Sequence, residues 1–427
     1  MTLGLDHMHA LMDRLGHPER RFRSVLVAGT NGKGSTTAML AAILSAHGVR
    51  TGRYTSPHVF SAAERIAVDG TLASIDEMEE AASRLVPLRA DIPFSYFEAL
   101  TAIAFLVFAA RGVQVAVLEV GLGGRLDATN VVEPEASVIT SISLDHRRIL
   151  GQTEKEILVE KLGVTRPGVP LFVGDLSAEL RSIIDERALR DGFSAAWIEP
   201  REVDEVAEEF DGGSFHARTA RADYGRVHVP FGGAHQVTNA RLAIAAAERL
   251  LPALDRLPEA LAGAYIPGRF ETVAQDGRTF VIDVAHNEAS LIATADHLAA
   301  FYPREECALV FGLLRRKELF EAPRHLLRAA SCLCLVEPPS EPGSADNAFA
   351  PHELLGRFFA PLLPDSATNV ILWSHSSERE HPMRRLLRWL ERSRYSVIVA
   401  TGSHRVVEEF GILLHASTER GLQKDMM

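Results

Sequence analysis

The chain has 427 residues, 47% hydrophobic and 24% charged, a balance that suits a soluble globular protein of two or three domains. Cores of that size need no disulfide or metal staple. The formal charge of −11, from 45 Lys+Arg against 56 Asp+Glu, excludes a general polyanion binder, so no nucleic-acid partner is expected.

Three cysteines, Cys307, Cys332 and Cys334, are odd in number and match no zinc spacing. They read as buried thiols in a reducing compartment. The first residues lack a basic region followed by an apolar run. The longest apolar stretch, Ala99–Ala110, falls far short of the roughly 20 residues of a membrane span. A cytoplasmic protein without a membrane partner is expected.

Strand-like and helix-like stretches alternate. Ser24–Ala28 reads as a buried strand, followed by a Gly-rich turn and a helix over Thr36–His47 that stops at Gly48. Glu98–Arg111 reads as an apolar helix ending at Gly112. Val113–Val120 and Ala136–Ile142 read as strands. This alternation predicts parallel βαβ units. Pro267-Gly268 breaks both regular structures and marks a domain boundary, giving 1–268 and 269–427. Beyond it, Phe280–Asp283, Cys307–Phe311, Cys332–Val336 and Tyr395–Ala400 read as strands. Ser290–Phe301 and Phe320–Ala330 read as helices, and Pro338–Pro351 as a surface loop.

The most informative segment is Gly29-Thr30-Asn31-Gly32-Lys33-Gly34-Ser35-Thr36. It lies between a strand and a helix. Its glycines let successive N–H groups face one anion, and the helix N-terminus adds partial positive charge. Lys33 brings a full charge for a terminal phosphate, and Ser35 or Thr36 a hydroxyl for Mg²⁺ or phosphate. The spacing is a shortened variant of the usual phosphate loop, because Val27 stands five places before Gly32.

This loop resembles that of the folylpolyglutamate synthase/dihydrofolate synthase family of the Mur-ligase superfamily. The resemblance continues in order along the chain. It runs through Tyr54-Thr55-Ser56-Pro57-His58, Glu64-Arg65-Ile66, Leu118–Asn130, Leu144-Asp145-His146 and Glu160-Lys161-Leu162-Gly163. Then come Gly233-Ala234-His235-Gln236, Pro267–Glu271, Asp283-Val284-Ala285-His286-Asn287 and Thr401-Gly402-Ser403. It implies an α/β protein: a Mur-ligase-like P-loop ATPase domain with a mostly parallel sheet, then a smaller Rossmann-like C-terminal domain. The implied reaction is ATP-dependent amide formation, in which a carboxylate becomes an acyl phosphate and glutamate's amine displaces phosphate.

By resemblance, Gly29, Thr30, Asn31, Gly32, Lys33, Gly34, Ser35 and Thr36 bind ATP, with Arg269, Asp283, His286 and Asn287. Ser35, Ser56, Glu119 and His146 are the implied Mg²⁺ ligands. Imidazole is an unusual partner for this hard cation. Lys33, Glu119, His146 and Lys161 are the implied catalytic residues, with Lys161 carbamylated. From the residues alone, Lys161 reads as a solvated helix lysine, and Asp283 or Asn287 as helix caps. Arg148, Lys317 and Ser403 are assigned to substrate. The partners are a small-molecule acid and glutamate, and the expected state is a monomer.

The chain departs from the family at four places. Arg147-Arg148-Ile149 follows His146 where relatives commonly have Thr and then an acidic residue that helps bind the pterin. An arginine cannot accept the pterin's N–H donors. Val284 and Glu288 replace Gly and Pro. Arg315-Arg316-Lys317-Glu318 replaces x-Asp-Lys-Asp, and Ser403-His404-Arg405 replaces Ser-Leu-Tyr. Two alternatives therefore stay open: an amino-acid ligase acting on a non-pterin carboxylate, and an ATP-binding regulatory protein.

Overall fold

The structure is a computed structural model, described here for residues 4–198, 204–339, 348–365, 367–373 and 381–425. The chain divides into two compact units. The first comprises Met1–Glu208, Gly212–Pro230 and Ala234–Ile266; the second comprises Glu209–Asp211, Phe231–Gly233 and Pro267–Met427.

The strands of the first unit are β1 (Arg23–Ala28), β2 (Thr51–Tyr54), β3 (Ile66–Val68), β4 (Thr71–Leu72), β5 (Val115–Glu119), β6 (Pro134–Ile139), β7 (Pro170–Val173), β8 (Ser194–Trp197), β9 (Asp204–Glu209), β10 (Gly212–Arg218) and β11 (Asp223–Val229). Eight form one sheet in the order β4-β3-β2-β5-β1-β6-β7-β8. It is parallel from β2 to β8, and β3 and β4 pair antiparallel at one edge. Its central strands are apolar at nearly every position because both faces are covered, which is why they read as unbroken runs. Leu26, Ala28 and Leu118 enter the core that includes Ile103 and Phe105 of the helix Tyr96–Ala110. Ser95 starts that helix: its hydroxyl accepts from Glu98 N at 3.3 Å and its N–H donates to Glu98 at 2.7 Å.

The sheet β11-β10-β9 was not anticipated from sequence. Its strands carry polar residues on their exposed sides, such as Arg218 and Asp223, so no apolar run announces them.

The second unit holds β12 (Glu271–Gln275), β13 (Arg278–Ile282), β14 (Cys307–Phe311), β15 (Cys332–Val336), β16 (Asn369–Trp373) and β17 (Val397–Thr401). Their order is β12-β13-β17-β14-β15-β16, parallel from β13 to β16. The three cysteines are free and buried. The expected surface loop Pro338–Pro351 needs correcting at its end, while 340–347 lie outside the described residues. Phe349 is 3% exposed, because its N–H bonds Leu313 O at 3.0 Å and its ring packs edge-on against Phe358.

Helix bounds shift where a cap decides them. The first-unit helix begins at Lys33, not Thr36, because Gly32 caps it. The helix expected from Phe320 begins at Ala322. There the carboxylate of Glu288 accepts from the N–H groups of Phe320, Glu321 and Ala322 at 2.9, 2.6 and 3.0 Å. Among the described residues, no helix is long and apolar enough to cross a membrane.

Candidate active site

In the first unit, β2, β5, β1 and β6 are adjacent and parallel. Glu119 is the last residue of β5, and the segments leaving the carboxyl ends of β2, β1 and β6 carry Ser56, Gly29–Lys33 and His146, so one sheet edge gathers them. That edge is where open α/β sheets bind ligands.

The glycine-rich loop is tied to the segment after β6. Thr30 N donates to Ser141 O at 2.7 Å and Asn31 N to Ser141 Oγ at 3.0 Å. Thr140 Oγ1 donates to Asn31 O at 2.6 Å. Two glycines are obligatory there. A Cβ on Gly29 (φ 148°) would stand 1.9 Å from Thr140 Oγ1, and one on Gly32 (φ 84°) 2.4 Å from Asn239 Oδ1. Lys33 Nζ donates to Thr30 O at 3.0 Å. Ser35 and Thr36 are buried in the first helical turn, and Thr36 Oγ1 has no hydrogen-bond partner.

Glu119 ends β5 at 2% exposure and accepts from Ser56 N at 2.9 Å. His146 has a left-handed backbone, φ 50°, and its Nε2 lies 3.8 Å from Asp145 Oδ2. The oxygen donors Glu119, Ser35 and Ser56, with the orphaned Thr36 hydroxyl, fit a hard cation that also binds phosphate and water. The imidazole of His146 fits least well. Among the described residues, no cluster of three or more His, Cys, Asp or Glu could hold a metal.

Lys161 is not solvated. It ends the helix Glu154–Lys161 at 4% exposure and donates to Gly29 O at 2.7 Å. Burial first, and then Lys33, lower its pKa to about 7. Arg148 is exposed on the short helix Arg147–Leu150.

In the second unit, β13, β17 and β14 are adjacent and parallel. Asp283, His286 and Asn287 follow β13, Lys317 follows β14, and Ser403 follows β17. Asp283 folds its own turn. Oδ1 accepts from Ala285 N and Thr294 Oγ1, each at 3.0 Å, and Oδ2 accepts from Phe270 N at 2.9 Å, next to Arg269. Asn287 caps the helix Glu288–Phe301, accepting from Ser290 N at 3.0 Å. His286 Nδ1 lies 2.8 Å from Val284 O. Lys317 and Ser403 are 7% and 3% exposed.

Sequence reasoning did not single out Arg53. Its side chain donates to Tyr265 O at 2.6 Å, and burial lowers its pKa against the smaller raising by Glu119 and Glu64. An arginine inside a strand followed by Tyr-Thr-Ser-Pro was the only signal for it.

A Gly-rich loop on a parallel sheet, followed by a second α/β unit, is the architecture of a Mur-type ligase. The Mur ligase middle domain family matches residues 27–247, and the Mur ligase, glutamate ligase domain family matches 268–399. The chain belongs, within that superfamily, to the folylpolyglutamate synthase/dihydrofolate synthase family. It is 37% identical over 328 residues to the dihydrofolate synthase/folylpolyglutamate synthase of Bacillus subtilis, covering 74% of this chain and 76% of that one. The Mycobacterium tuberculosis folylpolyglutamate synthase complexed with ADP superposes with a TM-score of 0.83 at 30% identity, covering 96% of this chain and 94% of that one. Escherichia coli FolC in complex with DHPP and ADP gives 0.81 at 27% identity, covering 98% and 94%.

Proposed function

We propose that this chain is an ATP-dependent, ADP-forming ligase that joins glutamate to a folate-type carboxylate. One observation carries the reading. The Gly29–Thr36 loop, Glu119 and Lys161 share one sheet edge, with Lys161 bonded to Gly29, in a chain akin to enzymes of that name.

The acid's carboxylate oxygen attacks the γ-phosphorus of ATP and ADP departs. Glutamate's uncharged amine then attacks the acyl carbon, phosphate departs, and the nitrogen gives up a proton to solvent. Backbone N–H groups of Gly32–Ser35, at the start of the helix, and the ammonium of Lys33 hold the phosphates, so that attack is a matter of position and charge. Ser35, Ser56, Glu119 and His146 would hold Mg²⁺, which supplies neutralisation of phosphate charge. With a pKa near 7, much of Lys161 carries an uncharged amine at neutral pH. Such an amine adds to CO2 and loses a proton to solvent, giving a carbamate. Carbamylation turns a buried cation into a carboxylate-like group, and we assign it to Lys161.

By the family resemblance, Arg269 and His286 serve the nucleotide. Asp283 and Asn287 serve it by shaping the turn, since their side-chain oxygens already accept internal bonds. Lys317 and Ser403 serve the amino acid, and Arg148 the acid. The enzyme works as a monomer in the cytoplasm, on small molecules.

A second reading, a more anionic acid in place of the usual pterin, is favoured by Arg147 and Arg148 directly after His146. An exposed arginine is suited to a carboxylate or phosphate on the substrate. ADP release from wild type and Arg148→Asp, across a panel of pterin and non-pterin acids with glutamate, separates the two. Fast turnover of dihydropteroate, unaffected by Arg148→Asp, removes the second.

A further inference from the structure

His404 has no role in the reaction as assigned so far. It opens the helix His404–Asp425 directly after Ser403, where the family pattern has Leu. The turn that bears it is tied to the turn after β13: Gly402 N and Thr401 Oγ1 both donate to Ala285 O, at 2.9 and 3.2 Å. This brings the imidazole of His404 to 5.1 Å from that of His286, tilted by 48°.

The setting is cationic. After burial, His286, Arg269, Lys317 and Arg316 act most strongly on His404, and together they hold its pKa well below the ordinary histidine value. A second positive charge there is disfavoured, so the ring stays uncharged, with one N–H donor and one acceptor nitrogen. Neither ring nitrogen has a hydrogen-bond partner among the described residues. The hydroxyl of Ser403, a residue 3% exposed, has none either. A half-buried donor left unmade costs desolvation without return. Set among cations, it is matched to an anionic oxygen, with which its bond becomes charge-assisted. Leucine offers no such donor.

A carboxylate and a phosphate would both satisfy this chemistry. The chain's phosphate cradle is the glycine-rich loop of the first unit. The cluster around His404 includes His286 and Arg269, assigned to the nucleotide, but also Lys317 and the adjoining Ser403, assigned to the amino acid, and these two favour a carboxylate.

We propose that His404 sets amino-acid specificity, its ring N–H donating to a carboxylate oxygen of the incoming amino acid beside Lys317 and Ser403. This rests on the ligase reading above. It assigns a role to a residue where the chain departs from its family.

The test is steady-state kinetics of the full chain as wild type, His404→Leu and His404→Gln, varying glutamate, ATP and acid in turn. The expected result for His404→Leu is a KM for glutamate raised about tenfold or more. Its kcat and its KM for ATP and acid stay within about twofold. His404→Gln, whose amide keeps an N–H donor, recovers most of the loss. An unchanged KM for glutamate overturns the inference. So does a rise in the KM for ATP instead, which would identify a phosphate site. Equal loss in both variants would mark a packing role and overturn it too. If wild type itself shows no glutamate-dependent ADP release, the ligase reading fails and this inference fails with it.

Discussion

Lys161 Nζ donates to the carbonyl oxygen of Gly29 at 2.7 Å, joining the end of one helix to the first residue of the phosphate loop 132 positions earlier in the chain. The bond places a buried amine against the loop that would hold ATP.

Replacing this lysine therefore removes both a loop anchor and a group we assign to carbamylation. Lys161→Met is expected to lower kcat by about a hundredfold or more. Wild-type protein equilibrated with isotope-labelled bicarbonate is expected to show a carbamate carbon that Lys161→Met lacks. An unmodified amine in CO2-equilibrated, ligand-bound wild type would count against the assignment.

The same lysine predicts a pH dependence of stability. Its pKa falls from 10.5 to about 7 on folding, so between those values the unfolded chain binds more protons than the folded one. Stability from this group therefore rises with pH across that window, by at most about 1.4 kcal/mol per pH unit. Below about 7 the cost of burying the charge is present in full. Urea denaturation of CO2-free protein, in which Lys161 carries the unmodified amine, should show across the window a rise in wild type that Lys161→Met lacks. Parallel profiles would contradict it.

The loop glycines should not tolerate a methyl group. Gly32→Ala places Cβ against Asn239 Oδ1 in a left-handed backbone. The expected outcome is nucleotide affinity lowered about tenfold or more, read by ATP titration, with the circular dichroism of the wild type. Gly29→Ala meets Thr140 harder and is expected to lower the thermal midpoint as well.

Glu288, another departure from the family, has a structural task. Its carboxylate receives three backbone N–H groups at the start of the helix Ala322–Ala329, and so holds the loop that carries Lys317. Glu288→Ala should destabilise the protein by about 2 kcal/mol and raise the KM for glutamate. Glu288→Gln, which keeps an acceptor, should lose less. Calorimetry and kinetics on both variants check it.

The phosphate loop, the strands β1, β5, β14 and β15, and the helix Glu288–Phe301 were legible because local pattern determines them: apolar runs, a Gly-rich turn, an Asn cap. What could not be read depends on distant contacts. Nothing near Gly32 announces Asn239, and nothing near Lys161 announces its burial against Gly29; beside Glu160 it looks solvated. The exposed end of a helix and a buried anchor share one local sequence. The sheet β9–β11 escaped notice because its polar faces hide the alternation, and Asp283 read as a cap although it binds Phe270 across the turn.

One enzyme couples ATP cleavage to the joining of an acid and glutamate. ADP release measured with ATP, a folate-type acid and glutamate, together and with each omitted, tests it most directly. Sustained ADP release, beyond one equivalent per active site, is expected only when all three are present, in step with amide product, and is abolished in Lys33→Ala. ADP formed equally without the acid or without glutamate, or no ADP with any acid in a broad panel, would contradict it.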